Sequence, residues 1–137
     1  MKPWMVVEDE LDIRNIIKVL FEAWGRGAME FRDGNETFKW LDAVESGNYE
    51  GELPDLALMD IRMPGHFGNE IAHRMRTIPE LQHIPIVLMT AFSLTDTERQ
   101  SMMKDDGVDH IIAKPLPDMM ELKMTLDDIY AKKKSKR

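Results

Sequence analysis

The stretch Leu56-Ala-Leu-Met-Asp-Ile-Arg-Met-Pro-Gly65 decides the fold. Leu56–Met59 is an unbroken apolar run, Asp60 closes it, and Pro64-Gly65 turns the chain. Such a run reads as a strand buried on both faces, with its carboxyl end opening on a crevice. A second run, Met5–Val7, finishes the same way in Glu8-Asp9-Glu10. Two such strands side by side aim their carboxylates into one pocket. Like charges gathered there raise one another's pKa unless a cation joins them. Hard oxygen donors select a hard cation, and Mg2+ (or Mn2+) bound through carboxylates, waters and a phosphate suits them. The sequence therefore proposes a phosphate site.

Working outward, short apolar runs alternate with stretches of helical period. The runs are Met5–Val7, Ala28–Phe31, Leu56–Met59, Ile86–Met89 and Ile111–Ala113. Between them Ile13, Ile16, Ile17, Leu20 and Phe21 follow the i, i+3, i+4, i+7, i+8 stripe of an amphipathic helix. Phe38, Leu41 and Val44 make a second stripe that Gly47 ends, and Asn69–Arg76 makes a third helix. Thr95-Asp-Thr-Glu98 has the spacing of a capping box and opens a fourth, polar helix with Met102 and Met103 to bury. Met119, Leu122, Leu126 and Ile129 mark a fifth after Pro117.

Five successive strand–helix units predict an α/β domain with a parallel sheet covered by helices on both faces. Right-handed crossovers leave the flavodoxin-like doubly wound order 2-1-3-4-5 as the simplest solution. Strands one and three are then neighbours, which brings Glu8, Asp9 and Asp60 together. The fourth strand ends at Thr90 and the fifth at Lys114, so a hydroxyl and an ammonium join the same rim. An acceptor carboxylate, a divalent ion, a hydroxyl and an ammonium suffice for phosphoryl transfer, which is mostly positioning and charge neutralisation. Asp60 is the expected nucleophile, forming an acyl phosphate.

Composition bounds the rest. The 137 residues make one domain, and a net charge of −7 argues against a nucleic-acid partner. Cysteine is absent, which excludes a disulfide framework and thiol chemistry. No apolar run reaches membrane-spanning length and no signal peptide is present, so a cytoplasmic address without membrane contact is expected. The twelve methionines read as core fillers. The four histidines lack paired metal spacing. The basic tail, residues 132–137, is expected to be a solvated helix end, or disordered or a linker.

At VVEDE, LMDIRMPGHFGNE, MTA and GVDHIIAKP, taken in order, the chain resembles the CheY-like receiver domain of two-component response regulators. The resemblance covers nearly the whole length. It implies phosphorylation of Asp60 by a sensor histidine kinase or a phosphotransfer protein, with self-phosphorylation and self-dephosphorylation as the only catalysis. It assigns Glu8 and Asp9 to the acid pair, the Arg62 backbone carbonyl to the Mg2+ shell, Thr90 to the switch hydroxyl and Lys114 to the basic partner of the phosphoryl group. It makes the Lys114–Pro115 bond cis. It places the effector on the face of the fourth helix, fifth strand and fifth helix, and allows a homodimer.

Several residues depart from the family pattern. Glu8 stands where Asp is commoner, and its longer arm is expected to reach the metal through water. His110 is taken as standing at the aromatic switch position in place of Tyr or Phe, where a titrating ring would make the switch pH-sensitive. The resemblance puts Arg62 and Phe92 beside the path of the hydrolytic water, which implies slow loss of the phosphoryl group. The segment from Thr90 to Lys114 is about two residues longer than usual for the family. No effector module follows within the chain, so a stand-alone relay is expected, with a piece of a longer regulator next. Two other readings compete. A haloacid-dehalogenase-type phosphatase also phosphorylates a strand-end Asp, but it needs a second acid at position 62, which is Arg. A degenerate receiver that binds partners without phosphorylation is disfavoured by the intact Asp60, acid pair, Thr90 and Lys114.

Overall fold

Short unbroken apolar runs alternate with stripes of period 3.6, and the elements follow them. The computed structural model describes residues 1–135. Strand β1 (Trp4–Val7) leads to α1 (Leu11–Ala23), β2 (Ala28–Phe31) to α2 (Gly34–Glu45), and β3 (Ala57–Asp60) to α3 (Gly68–Met75). Then β4 (Ile86–Thr90) leads to α4 (Asp96–Lys104), and β5 (His110–Ala113) to α5 (Met119–Ser135). The strands form one parallel sheet in the order β2-β1-β3-β4-β5, as the sequence predicts.

Alternation of side chains across each strand divides the core in two. Met5, Val7, Met59, Leu88 and Ile111 pack with Leu41 and Val44 of α2, Ile71 and Met75 of α3, and Met102 of α4. Val6, Leu58, Val87, Met89 and Ile112 pack on the other face with Ile17 and Phe21 of α1 and Leu122 and Leu126 of α5. The helices are punctuated as their caps require. Asp33 accepts the Glu36 N–H at 2.8 Å at the head of α2. At the head of α4, Thr95 accepts the Glu98 N–H at 3.1 Å and Glu98 accepts the Thr95 N–H at 3.0 Å, the capping box the spacing announces.

Some expectations are corrected. Ile16 does not belong to the buried stripe of α1: it is 57% exposed, while Ile17 and Phe21 carry the contact with the sheet. Leu11 and Val19 are exposed as well. An apolar stripe wider than the contact leaves its outer rows in water. Of the two readings of the tail, residues 132–135 take the helix end rather than the disordered or linker form: they are the last turn of α5, where Lys132 pairs with Asp128 and Lys133 with Asp109, each at 3.0 Å. Residues 136–137 of that tail lie outside the described residues. The sequence also gives no warning of the clamp at the opposite end of the sheet from Asp60. There the Arg26 guanidinium lies between the rings of Trp4 (4.6 Å) and Tyr130 (4.7 Å) and pairs with Asp55 at 3.3 Å, fastening α5 to β1. Among the described residues, no helix is long and apolar enough to cross a membrane.

The two neighbours on α1 give a direct check. Ile17→Ala should cost about 2–5 kcal/mol, the range for truncating a buried aliphatic side chain. Ile16→Ala should stay within about 0.5 kcal/mol, as exposed positions do. Urea unfolding of both variants reads the difference, and equal costs would return Ile16 to the core.

Candidate functional site

A parallel sheet gathers the carboxyl ends of its strands on one edge, and the charged residues stand there. Glu8 and Lys114 follow directly on β1 and β5, and Asp60 is the last residue of β3. By alternation they continue the rows of Val6, Ile112 and Leu58 on the α1/α5 face, so their side chains converge. Lys114 Nζ lies 2.6 Å from Glu8 Oε1 and 3.2 Å from Asp60 Oδ2. The second oxygen of Glu8 accepts the Glu10 N–H at 3.2 Å, and Arg14 donates to the Glu8 carbonyl at 2.9 Å. Glu8 is fully buried and Asp60 is 8% exposed. Asp9 completes the group, with one oxygen from each of Glu8, Asp9 and Asp60 lying within 4.8 Å of the others.

Close approach by Gly68 shapes the other wall. Its N–H donates to the Ile61 carbonyl at 2.8 Å, and a Cβ there would collide with the carbonyl oxygen of Asp60. Only glycine lets the head of α3 lie across the end of β3. The Lys114–Pro115 bond is cis, as the resemblance implies.

Charge does not balance in this cluster. One ammonium faces three carboxylates, leaving an excess of negative charge. Burial pushes the Asp60 carboxyl above its ordinary value, against the pull of Lys114. Burial and the neighbouring Glu8 push Asp9 the same way. Burial works against the charge on Lys114, but its contacts with Glu8 and Asp60 prevail and raise its pKa. Two buried carboxylates and the exposed Asp9, with uncompensated negative charge, make the donor set a hard divalent cation fits.

Thr90 ends β4 and is 5% exposed. Its hydroxyl donates to the Phe92 carbonyl at 3.1 Å and accepts from the Phe92 N–H at 3.0 Å. The Arg62 side chain leaves the carboxylates and stacks its guanidinium 4.1 Å from the Phe92 ring centroid.

His110 is a correction. It shares its side of β5 with Ile112 and lines a groove of about 920 Å3 with Met124, Thr125 and Ile129 of α5. Thr90, in register with Ala113, belongs to the opposite face of the sheet, with Leu88 and Ile111. An imidazole on the α5 side cannot fill space vacated by the Thr90 hydroxyl. Ile111 stands on the Thr90 side, 7% exposed in the cluster that includes Met102 of α4. Sequence reasoning missed Ile111, although counting by twos from the end of β5 finds it. Partial burial, and after it Arg99, hold the His110 ring below its ordinary pKa. That favours the neutral form at physiological pH.

Residues 4–127 match the family model for the response regulator receiver domain. The chain belongs to the response regulator receiver domain family. Among its relatives, the polar-differentiation response regulator DivK of Brucella anthropi is 34% identical over 116 residues, covering 84% of this chain and 85% of that protein. A CheY-like receiver domain protein from Methanospirillum hungatei has the same fold, with a TM-score of 0.81 at 20% identity over 100% of this chain and 99% of that one. The receiver domain of a sensor histidine kinase from Pseudomonas aeruginosa, solved with magnesium in its active-site cleft, gives a TM-score of 0.74 at 20% identity, covering 96% of this chain and 99% of that one. This receiver is a module of two-component signalling, and membership of the family sets aside the phosphatase reading.

The raised pKa of Asp60 makes stability depend on pH with a definite sign. Its folded value lies above the unfolded one, so the ionised carboxylate destabilises the fold, and that penalty appears as pH rises through the folded pKa. Lys114, titrating above its ordinary 10.5, adds no slope in the acid range. In metal-free buffer, Asp60→Asn should therefore resist urea better than the wild type at pH 7, and the gap should close toward pH 4. A variant less stable than wild type at pH 7 would reverse the assigned sign.

Proposed function

We propose that this receiver takes a phosphoryl group onto Asp60 from the phosphohistidine of a sensor kinase or phosphotransfer protein. The observation that carries the proposal is the buried Asp60 held 3.2 Å from the ammonium that also grips Glu8. A carboxylate oxygen of Asp60 attacks phosphorus, an O–P bond forms, the P–N bond breaks, and the imidazole nitrogen keeps the electron pair. Lys114, already placed between Glu8 and Asp60, can meet the negative charge that arrives.

Glu8, Asp9 and Asp60, with the Arg62 backbone carbonyl, would hold Mg2+ (or Mn2+). The uncompensated carboxylates support this, as does the magnesium in the cleft of the Pseudomonas receiver. Bound there, the cation neutralises charge on the transferring oxygens. Both Glu8 oxygens already serve Lys114 and the Glu10 N–H, which favours a Glu8 contact with the ion through water. Thr90 supplies a hydroxyl that can donate to the phosphoryl group, and its departure from Phe92 is the first movement of the switch. Helix α4 buries only Met102 among its described residues, so it is the element with least to hold it in place.

The effector surface on this reading is the face of α4, β5 and α5, where Met103, Met120 and Met124 are exposed. Adaptable thioether side chains suit a surface that must fit a partner. Leu11, Ile16 and Val19 are exposed apolar residues on α1, which begins just after the acid pair, and that position suits docking of a phosphodonor.

Acetyl phosphate should label the protein once, at Asp60, and only with Mg2+ or Mn2+ present. Intact mass of the wild type and of Asp60→Asn, with and without a chelator, checks it. A label that survives chelation, or that persists in the Asn variant, would overturn the assignment.

A further inference from the structure

A hydroxyl has one proton to give, and that of Thr90 is already committed to the Phe92 carbonyl at 3.1 Å. The same oxygen accepts the Phe92 N–H at 3.0 Å. Thr90 therefore cannot donate to a phosphoryl oxygen on Asp60 without letting go of Phe92. Phe92 is not free to follow. Its ring, 50% exposed, lies 4.1 Å from the guanidinium of Arg62. Arg62 stands two residues beyond Asp60, so the stack ties the exit of β3 to the exit of β4. Its reach extends to α4. The Thr95 N–H and hydroxyl, and after them the charge of Arg62, hold the Glu98 carboxyl below the usual range at the head of that helix.

We propose that the Arg62–Phe92 stack is a latch that keeps the Thr90 hydroxyl turned away from Asp60, which makes Arg62 and Phe92 positioning residues that set how readily the receiver switches. The inference rests on Asp60 as the phosphoryl acceptor. The order of events follows from the contacts. The Phe92 backbone is held by Thr90 and its ring by Arg62, so the two grips support each other. A phosphoryl group that draws the Thr90 proton releases the first. The stack then opposes displacement of residues 91–94, the segment that leads to the N-cap of α4. An exposed cation–π contact shifts such an equilibrium by about two- to five-fold. That is enough to tune a switch without fixing it in either state.

Beryllofluoride with Mg2+, a mimic of the phosphoryl group, provides the test. Phe92→Leu should bind it about two- to five-fold more tightly than the wild type, because no ring resists the rearrangement. Arg62→Gln, which removes the cation and keeps the backbone carbonyl, should give a similar gain. The double variant should gain no more than either alone, since both substitutions open one contact. Hydrogen exchange supplies a readout that a merely structural role would not move. The amide of residue 92 should exchange faster in Phe92→Leu, while those of β4 stay protected. Equal beryllofluoride affinity in wild type and Phe92→Leu, or fully additive gains in the double variant, would overturn the latch and leave the acceptor assignment standing. A wild type that neither binds beryllofluoride nor takes label from acetyl phosphate would overturn that assignment, and the latch with it.

Discussion

The ammonium of Lys114 is shared between Glu8 and Asp60, and the site depends on that division. One cation sits between the ends of β1, β3 and β5, at 2.6 Å from one carboxylate and 3.2 Å from the other. Without it three acids would crowd one edge of the sheet, and burial would drive protons onto them. With it the acids stay partly compensated, and the excess negative charge that remains is the setting a divalent cation would suit. The same cation then faces any phosphoryl group placed on Asp60. Structure and chemistry use one contact, which explains why so much of the fold is arranged to bring three strand ends together.

The two sides of the sheet are built differently around that contact. The α1/α5 side is anchored at both ends. Glu8 and Lys114 close it at the carboxylate edge, and the Arg26 clamp closes it at the other, with the guanidinium between Trp4 and Tyr130. The opposite side holds α4, which contributes Met102 to the core and otherwise faces water. Ile111 faces the α4 side and Thr90 continues the row of Leu88 on that side, while Asp60 and Lys114 continue rows on the α1/α5 side. On the α4 side α2 and α3 are well packed, and α4 alone has little to hold it. On the proposed function, a charge change at Asp60 would reach the least-anchored helix through the end of β4. Arg62 and Phe92 span the gap between the two.

The architecture and the gathering of Glu8, Asp9, Asp60 and Lys114 were legible in the sequence because both rest on local signals. Apolar runs that end in Asp60, Thr90 and Lys114 carry the sheet order and the roster of polar groups together, since a parallel sheet puts all such ends on one edge. Glu8 and Asp9 were legible for the same reason. His110 was misread because proximity to Lys114 in sequence says nothing of which face a strand residue takes, and a shift of one position reverses the face. Ile16 was misread because periodicity locates an apolar stripe without giving its width of contact. The basic tail was left between a helix end and a linker because composition alone does not decide it; pairing of its lysines with Asp128 and Asp109 goes with the helix end over residues 132–135.

By itself the sequence determined the five strand–helix units, their parallel order and the set of groups at the carboxylate edge, because hydrophobic periodicity and strand-end chemistry are written in neighbouring residues. Only the tertiary structure decided how those groups are paired. That Glu8 rather than Asp9 takes the short contact with Lys114 depends on distances across three strands. That the Thr90 proton goes to Phe92, and the Arg62 guanidinium to the Phe92 ring, depends on a loop whose course no local pattern encodes. Hydrogen bonds and ion pairs are settled by ångström-scale geometry between residues far apart in the chain, and that geometry exists only once the sheet has formed.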